Sequence, residues 1–255
     1  AVPATVAVVE GEVRVGLDEA DLEALGGNRT RPEKISLRDL APAVARGATG
    51  GTTVAATAHI AAGAGIRVFA TGGLGGVHLG ARDTWDVSAD VLALREAPVV
   101  VVCSGVKSIL DVGATLEALE SSSVALAAYR SDTLPGFLVA DTGIPAPWRL
   151  DTPEEVAAAF VAARELDHHG ALVLANPPDP ALALRPEEHD DLLRAARDEA
   201  AARGITGKAV TPFLLSEMAR RTEGRTLTVN KDLVVRNASL AADIAAAVAH
   251  PARGE

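Results

Sequence analysis

The chain has 255 residues with 34 acidic and 24 basic side chains, and a net charge of −10 disfavours a polyanionic partner such as a nucleic acid. Aromatic residues make up only 3%, so the stacking platforms that bind single-stranded nucleic acid are poorly supplied. The one cysteine, Cys103, fits a protein of the reducing cytoplasm, and no apolar run approaches the length of a membrane span, so we expect no membrane partner.

The first quarter of the chain predicts one β-hairpin and three helices. Two β-branched runs flank Glu10-Gly11, a pair typical of a tight turn. Ser36 with Asp39 three residues later is an N-cap signature. These signals predict a hairpin over residues 5–15 and helices over 18–25, 37–46 and 53–64.

The rest of the chain predicts strands that alternate with helices. The predicted strands are 66–70, 98–103, 124–129 and 171–175, and the predicted helices are 89–95, 108–120, 153–166, 186–202, 211–221 and 228–249. This order indicates an α/β protein with a mainly parallel or mixed central sheet that helices cover on both faces. Residues 131–150 are rich in Pro and Gly and predict a long loop, of a kind that is often functional. We find no repeat, linker or change in composition, so residues 1–255 are predicted to form one domain.

A glycine-rich loop, TGGLGGVH, follows the predicted strand 66–70. Open α/β sheets bind ligands where buried strands run into such loops. The loop lacks the third glycine of a dinucleotide fingerprint, and no helix follows at once, so nicotinamide binding is disfavoured. Its glycines would let the backbone approach an anion. His78, at the end of the loop, either contacts a ligand or is hydrogen-bonded within the loop.

Lysine is rare in this chain, because only four of the 24 basic residues are Lys: Lys34, Lys107, Lys208 and Lys231. A position that stays lysine where arginine is the rule can require an amine that loses its proton and acts as a nucleophile. Lys107 directly follows the strand VVVVC, where burial would lower the pKa of the amine. The alternative is a solvated lysine at the start of a helix.

Asp86, Ser88 and Asp90 form a second polar cluster. Clustered carboxylates suit a hard divalent ion or the hydroxyls of a sugar, and a lone aspartate would leave Mg²⁺ or Mn²⁺ with several waters. Ser88 and the amides after it could seat an anion at a helix N-terminus, or merely cap the helix. Asn230 and Asn237 could point into a site, or they could be surface residues.

Together these segments resemble the pseudouridine-5'-phosphate glycosidase family, also called the indigoidine synthase A-like family. The resemblance covers nearly the whole chain, and several long motifs in the same order make it specific. The motifs are AVPATVAVVEGEVRVGL (1–17), KISLRDL (34–40), GTTVAAT (51–57), RVFATGGLGGVH (67–78), WDVSAD (85–90), VVCSGVKSILD (101–111), VLANPP (173–178) and GKAVTPFLL (207–215), followed by Asn230.

The resemblance implies an enzyme that reversibly cleaves the C–C glycosidic bond of pseudouridine 5'-phosphate to uracil and ribose 5-phosphate. A C-glycoside has a poor leaving group, so the two-carboxylate route of ordinary glycosidases is unattractive. The family instead opens the ribose and holds it on a lysine as an imine. It also implies a three-layer α/β/α fold, one Mn²⁺ ion, a homotrimer and a cytoplasmic location.

The resemblance also implies a role for individual residues. Lys107 matches the nucleophile, Asp86 matches the Mn²⁺ ligand, and Lys34 matches a lysine that contacts the substrate on its phosphate side. The further expected substrate-binding residues are Val54, His78, Ser88, Ala89, Asp90 and Asn230.

Two departures from the family pattern leave alternatives open. Leu79 stands where the family usually has Arg. The family also carries, ahead of its AVPAT motif, a Glu-Ser-Thr sequence whose glutamate protonates the base, whereas this sequence begins at AVPAT. We therefore expect a shortened form of a functional enzyme. The alternatives are a catalytically impaired homologue that binds sugar phosphate and a related C-nucleoside enzyme of secondary metabolism.

Overall fold

The computed structural model describes residues 1–27 and 32–250 of the chain, and its amino-terminal part forms a four-stranded mixed sheet. Its strands are β1 (Val6–Val9), β2 (Glu12–Val15), β3 (Glu33–Ile35) and β4 (Gly50–Thr52), in the order β2-β1-β4-β3. Strands β1 and β2 form the predicted hairpin, β4 runs antiparallel to β1, and β3 runs parallel to β4.

The second sheet has five strands, and all its pairings are parallel. Its strands are β5 (Val68–Ala70), β6 (Val100–Cys103), β7 (Ala125–Tyr129), β8 (Arg149–Leu150) and β9 (Leu172–Ala175), in the order β5-β6-β9-β7-β8. Because β5, β6 and β9 are neighbours that run in one direction, the loops that follow them leave the same edge of the sheet.

The described residues form ten α-helices. They are α1 (Glu19–Gly26), α2 (Leu40–Ala45), α3 (Val54–Gly63), α4 (Ala81–Thr84), α5 (Asp90–Arg95), α6 (Val112–Ser121), α7 (Pro153–Glu165), α8 (Pro186–Ala202), α9 (Val210–Arg221) and α10 (Arg225–Ala249). The side chains of Asp18, Thr53 and Thr152 cap α1, α3 and α7 by accepting from a first-turn amide. In the part of the chain that the structure describes, no helix has both the length and the apolar character needed to cross a bilayer.

Helices cover the parallel sheet on both faces, which confirms the predicted three-layer α/β architecture. Val101 and Cys103 of β6 face a cluster that contains residues of α3, α5 and α6, while Val100 and Val102 face α7 and α10. All four side chains are fully buried. This explains why the strand is a continuous apolar run, as strands covered on both faces are.

The small sheet meets the rest of the fold through α3, which contacts β1, β4 and α5. The organisation of residues 1–255 as one domain stays a prediction.

Two predicted helices differ from the observed ones. The helix predicted over residues 108–120 begins only at Val112, because Leu110 N bonds back to Lys107 O (3.0 Å) and the Asp111 side chain caps the next turn. Lys107 therefore lies in a loop and not at a helix start. The helix predicted over 37–46 is a 3₁₀ turn over residues 37–39 followed by α2.

Four of the short elements named above carry no clear signal in the sequence: β3, β4, α4 and β8, which lies at the end of the predicted loop 131–150. Gly50 and Gly51 make up most of β4, although glycine is depleted in strands. Glycine is needed at position 50 because the strands approach closely there: a Cβ would collide with the carbonyl oxygen of Glu33 on β3. This close approach is what places Lys34, in the same strand β3, beside Gly51.

Candidate active site

The glycine loop (residues 71–78) and the lysine loop (residues 104–111) follow neighbouring strands β5 and β6, and they are bonded to each other. Leu74 N donates to Gly105 O (3.0 Å), and Lys107 N donates to Leu74 O (3.0 Å). The side chain of Lys107 closes the junction, because its Nζ donates to Gly73 O (2.7 Å). The amine is therefore held in the seam between the two loops.

Burial lowers the pKa of the Lys107 amine, and nearby charges adjust it. Asp90 raises this pKa and Lys34 lowers it further, but burial dominates and the net direction is downward. Cys103 lies below the amine in β6, and burial raises the pKa of its own thiol to about 12. That thiol is neutral at physiological pH and adds no charge to the site. A lysine in this setting has a larger neutral fraction than an exposed one, as a nucleophilic amine requires.

Asp90 joins the glycine loop to the first turn of α3. Its Oδ1 accepts from Ala55 N (2.9 Å) and its Oδ2 accepts from Gly75 N (2.8 Å), and the residue is only 3% exposed. A Cβ at Gly75 would lie 2.6 Å from Asp90 Oδ2, so only glycine fits there. Both carboxylate oxygens are thus engaged by backbone amides, and Asp90 acts on Lys107 through its charge.

Ser88 and Ala89 precede Asp90 at the start of α5. Ser88 Oγ accepts from Asp90 N (3.2 Å), and Ser88 N donates to Gly76 O (2.9 Å). Ser88 is half-buried against the glycine loop, whereas Ala89 is exposed. Their role as substrate-binding residues stays a prediction.

His78 and Asp86 lie together at the far end of the glycine loop. His78 N donates to Asp86 O (3.0 Å), and His78 Nδ1 is 3.9 Å from Asp86 Oδ2. The two side chains are 20% and 45% exposed.

The donor set around Asp86 decides what kind of metal ion the residues fit. No cluster of three or more His, Cys, Asp or Glu side chains of metal-binding type occurs among the described residues. One carboxylate beside one imidazole fits a hard cation that keeps most of its water ligands. The residues do not supply enough ligands to surround an ion with protein atoms alone. The prediction of Mn²⁺ at Asp86 therefore remains compatible with the donors but untested.

The remaining predicted residues surround the two loops from three other elements. Asn230, on α10, lies over the glycine loop, because a Cβ at Gly72 would be 3.2 Å from its Oδ1. Val54 is buried as the first residue of α3, next to Ala55, whose amide holds Asp90. Lys34 is exposed on β3, near enough for its charge to act on Lys107. The structure thus brings Lys107, Asp90 and Lys34 into one electrostatic neighbourhood.

Sequence reasoning missed two groups that build this site. Thr115, fully buried on α6, accepts from Val77 N (2.9 Å) through Oγ1 and fills the space in which Gly76 can carry no Cβ. Phe137 brings the long loop 131–150 to the site, because its ring packs against Gly73 and its N donates to Ser104 O (2.7 Å). A buried threonine in a helix has no distinctive local pattern, so only the Pro- and Gly-rich composition of the long loop was informative.

Asn237 is also part of the interior. It is 0% exposed and hydrogen-bonded to residues at the ends of the parallel strands, so the alternative of a surface residue is wrong for this position.

Two clefts lie elsewhere, with volumes of about 480 and 560 Å³. One is lined by residues of 139–143 and 180–186, and the other lies between the end of α3 and α7. Lys107 lines neither of them. Neither cleft is lined by residues of the glycine loop or the lysine loop.

The sequence is similar to known proteins over nearly its whole length. The family model described as "Indigoidine synthase A like protein" matches residues 1–247. The pseudouridine-5'-phosphate glycosidase of Salinispora tropica is 51% identical over 98% of this chain and 77% of its own length. The pseudouridine-5'-phosphate glycosidase of Saccharopolyspora erythraea is 51% identical over 97% of this chain and 82% of its own length.

Solved structures show the same architecture. The prealnumycin C-glycosynthase AlnA, in complex with ribulose 5-phosphate, is 36% identical with a TM-score of 0.89 and aligns over 97% of this chain and 81% of its own. An indigoidine synthase A-like protein from Thermotoga maritima is 36% identical with a TM-score of 0.87, over 95% of this chain and 79% of its own.

The opposing charges around Lys107 predict opposite effects of two substitutions on the pKa of its amine. Asp90→Asn removes the charge that raises this pKa, so the pKa should fall further, whereas Lys34→Met should let it rise towards its ordinary value. Competitive acetylation with acetic anhydride across pH, read by mass spectrometry of the Lys107 peptide, measures the pKa without any substrate. Lys231→Met, an exposed lysine on α10, is the matched control and should leave the pKa unchanged. Shifts of Asp90→Asn and Lys34→Met in the same direction would contradict this electrostatic account.

Proposed function

The chain belongs to the indigoidine synthase A like family, and from this premise we propose that it is a pseudouridine-5'-phosphate glycosidase. It would reversibly cleave the C–C bond that joins uracil to ribose 5-phosphate. Relatives with that name are about half identical to this chain over nearly all of it. The observation in the structure that carries the proposal is the half-buried Lys107 amine, whose pKa is lowered where the two loops meet.

A lysine suits a C-glycoside because the carbon of uracil is a poor leaving group. In the proposed reaction Lys107 Nζ forms a bond to C1 of the ribose while the bond from C1 to the ring oxygen opens, and that oxygen takes up a proton. The nitrogen lone pair then expels the uracil carbon, which takes a proton, and an imine of ribose 5-phosphate remains on Nζ. Water hydrolyses the imine and returns the free amine. The same steps in reverse form the bond.

The residues around the amine would bind the substrate. We assign Lys34 to the phosphate group, because its ammonium is exposed and close enough to influence Lys107. We assign the glycine loop to the sugar, because glycines leave the backbone free to approach a ligand. Gly72 and Gly73 pack against Asn230 and Phe137, so these two side chains lie beside the loop. We assign Asn230, Val54, His78 and the segment Ser88–Asp90 to the rim of the same site.

Asp86, with His78 beside it, would hold a Mn²⁺ ion mostly through waters. When bound, the ion supplies positive charge that orients oxygen atoms of the substrate. The protein would contribute one carboxylate, that of Asp86, at the end of the glycine loop.

A second candidate is C-glycoside chemistry on another base. The solved structure of a C-glycosynthase in complex with ribulose 5-phosphate supports it, because its TM-score to this chain is 0.89. Its identity of 36% is well below the 51% of the glycosidases, so the first proposal is preferred. A third candidate is a homologue that binds sugar phosphate without turnover. Incubating the chain with ribose 5-phosphate and a panel of bases, and identifying the products, distinguishes the first two candidates.

We further propose a homotrimer in the cytoplasm. Three apolar side chains of the segment 85–92, which follows the glycine loop and contains Asp86, are exposed: Trp85 by 86%, Leu92 by 67% and Val87 by 45%. Exposed apolar groups that lie close together mark interaction surfaces, and a second copy of the chain would cover them. The one cysteine, buried and unpaired, fits a reducing compartment.

The imine gives the central prediction of the proposed function. The chain should release uracil from pseudouridine 5'-phosphate with Mn²⁺ present, and borohydride should trap ribose 5-phosphate on Lys107. Lys107→Ala should abolish trapping and lower kcat by at least about 10³-fold, whereas Lys231→Ala should keep both.

Each outcome of this experiment separates the candidates. Trapping that survives Lys107→Ala would show that the nucleophile is misassigned. Trapping without release of uracil would favour the impaired homologue and locate the defect in proton transfer to the base. Neither trapping nor release would refute the glycosidase.

Removal of the proposed metal ligand should change the response to Mn²⁺. In Asp86→Asn the concentration of Mn²⁺ for half-maximal activity should rise at least about ten-fold, because a ligand carboxylate becomes a neutral amide. Asp83→Asn is the control, since its side chain is 79% exposed on the neighbouring helix α4. An equal response of the two variants to Mn²⁺ would refute the assignment of Asp86.

The oligomer should be visible in its mass and sensitive to the exposed apolar groups. Sedimentation equilibrium of the chain should give three times the mass of one chain. Trp85→Ser should weaken the assembly, whereas Trp148→Ser, on the long loop and 73% exposed, should not. A monomer at micromolar concentration would contradict the trimer.

A further inference from the structure

The amide of Asn237 lies where three parallel strands end. Asn237 Nδ2 donates to Thr71 O (2.9 Å) and to Ser104 Oγ (3.1 Å), and its Oδ1 accepts from Asn176 Nδ2 (3.0 Å). The residue is fully buried on α10. Both hydrogens and the oxygen of the amide are engaged, as a buried amide requires.

Each partner of Asn237 belongs to a different strand end. Thr71 opens the glycine loop after β5, Ser104 opens the lysine loop after β6, and Asn176 follows β9. These ends are also joined by backbone, because Ser104 N donates to Gly72 O (2.9 Å) and Asn176 N donates to Cys103 O (2.7 Å). One side chain therefore bonds to all three strand ends, just beyond the ladders that join these strands.

The offset matters at Lys107, which lies three residues beyond Ser104. Its Nζ is bonded to Gly73 O, two residues beyond Thr71. Asn237 thus holds the base of both loops, and Lys107 bridges them further out. A relative shift of the loops would move the amine away from its acceptor and admit water to the seam.

Anchoring of α10 does not depend on this amide. Leu233, on the same helix, is fully buried among apolar residues of the lysine loop and the long loop, and Ile244 is fully buried in the cluster that contains Val100 and Val102 of β6. These contacts hold the helix by burial of apolar surface. The polar network adds a defined geometry to a helix that is already packed.

We propose that Asn237 is a positioning residue for Lys107, acting through Thr71 and Ser104 to fix the two loops at the offset that the amine requires. It does not touch the substrate. Burial of the amine, and its distances to the charges of Asp90 and Lys34, depend on that offset.

The test compares Asn237→Leu, which keeps size and removes all three bonds, with the milder Ser104→Ala, which removes one. Acetic anhydride labelling reports the pKa of Lys107 without substrate, and we expect this pKa to rise in both variants as water reaches the amine. We expect kcat to fall about ten- to hundred-fold in Asn237→Leu and less in Ser104→Ala, with KM changed less than about three-fold. Adding Ser104→Ala to Asn237→Leu should lower kcat by a smaller factor than Ser104→Ala does in the parent chain, because the hydrogen bond to Asn237 is already lost.

Ile244→Val is the matched control on α10. It removes one buried methylene from a cluster that does not contain the loops, so Tm should fall by roughly 2–4 °C while the pKa of Lys107 and kcat stay unchanged. A folded Ser104→Ala or Asn237→Leu protein with lowered Tm, unchanged Lys107 pKa and unchanged kcat would overturn the proposal. An equal pKa shift in Ile244→Val would do the same.

The kinetic readout rests on the proposed function, but the labelling does not. If the parent chain shows no turnover while both loop variants shift the pKa of Lys107, the positioning role stands and the glycosidase assignment falls. If turnover is present and the pKa of Lys107 is unchanged in both variants, the glycosidase assignment stands and the positioning role of Asn237 falls.

Discussion

The site depends on one constraint, which is that two loops from neighbouring parallel strands must meet backbone to backbone. Parallel strands end at the same edge, so the carbonyl and amide groups beyond β5 and β6 have no ladder left to join. The glycine and lysine loops satisfy one another instead, through Leu74, Gly105 and Lys107. The seam leaves no room for a side chain at Gly105, because its φ is +87° and a Cβ there would collide with the carbonyl oxygen of Pro135.

The pKa of the Lys107 amine is set by its place in the seam. Burial lowers its pKa, and a carboxylate at bonding distance would undo that effect by stabilising the ammonium. Asp90 is close enough to raise the pKa of Lys107, but both of its carboxylate oxygens accept hydrogen bonds from the backbone amides of Ala55 and Gly75. The same carboxylate therefore shapes the glycine loop and limits, without cancelling, the effect of burial.

Local sequence patterns predicted much of this fold, and the misses have a common physical origin. The hairpin, the buried strands and the long helices carry local signals, since period, capping and turn residues lie within a few positions of each other. Strands β3 and β4 carry no local signal, because each is a strand only through its pairing with the other, as at Glu33 and Gly50. The start of α6 was misplaced because Ser108 and Asp111 can both begin a helix, and the turn at Lys107 selects the later one.

The candidate site shows the same division between local and distant signals. Lys107, Asp90 and the glycine loop stand in motifs that can be recognised along the chain. Asn237 does not, because its partner Thr71 is 166 positions away and one asparagine within a long amphipathic helix has no pattern of its own.

The last long helix completes a site whose reactive groups come from the middle of the chain. Asn230, Leu233 and Asn237 stand at positions i, i+3 and i+7 of α10 and form one face of that helix. Asn230 and Leu233 lie against Gly72, and Asn237 bonds to the strand ends beneath it. Apolar packing of Leu233 between two asparagines fixes the helix in rotation and along its axis, so both amides arrive in register. A site assembled in this way exists only in the folded chain, since each loop is held by the other loop and by side chains of α10.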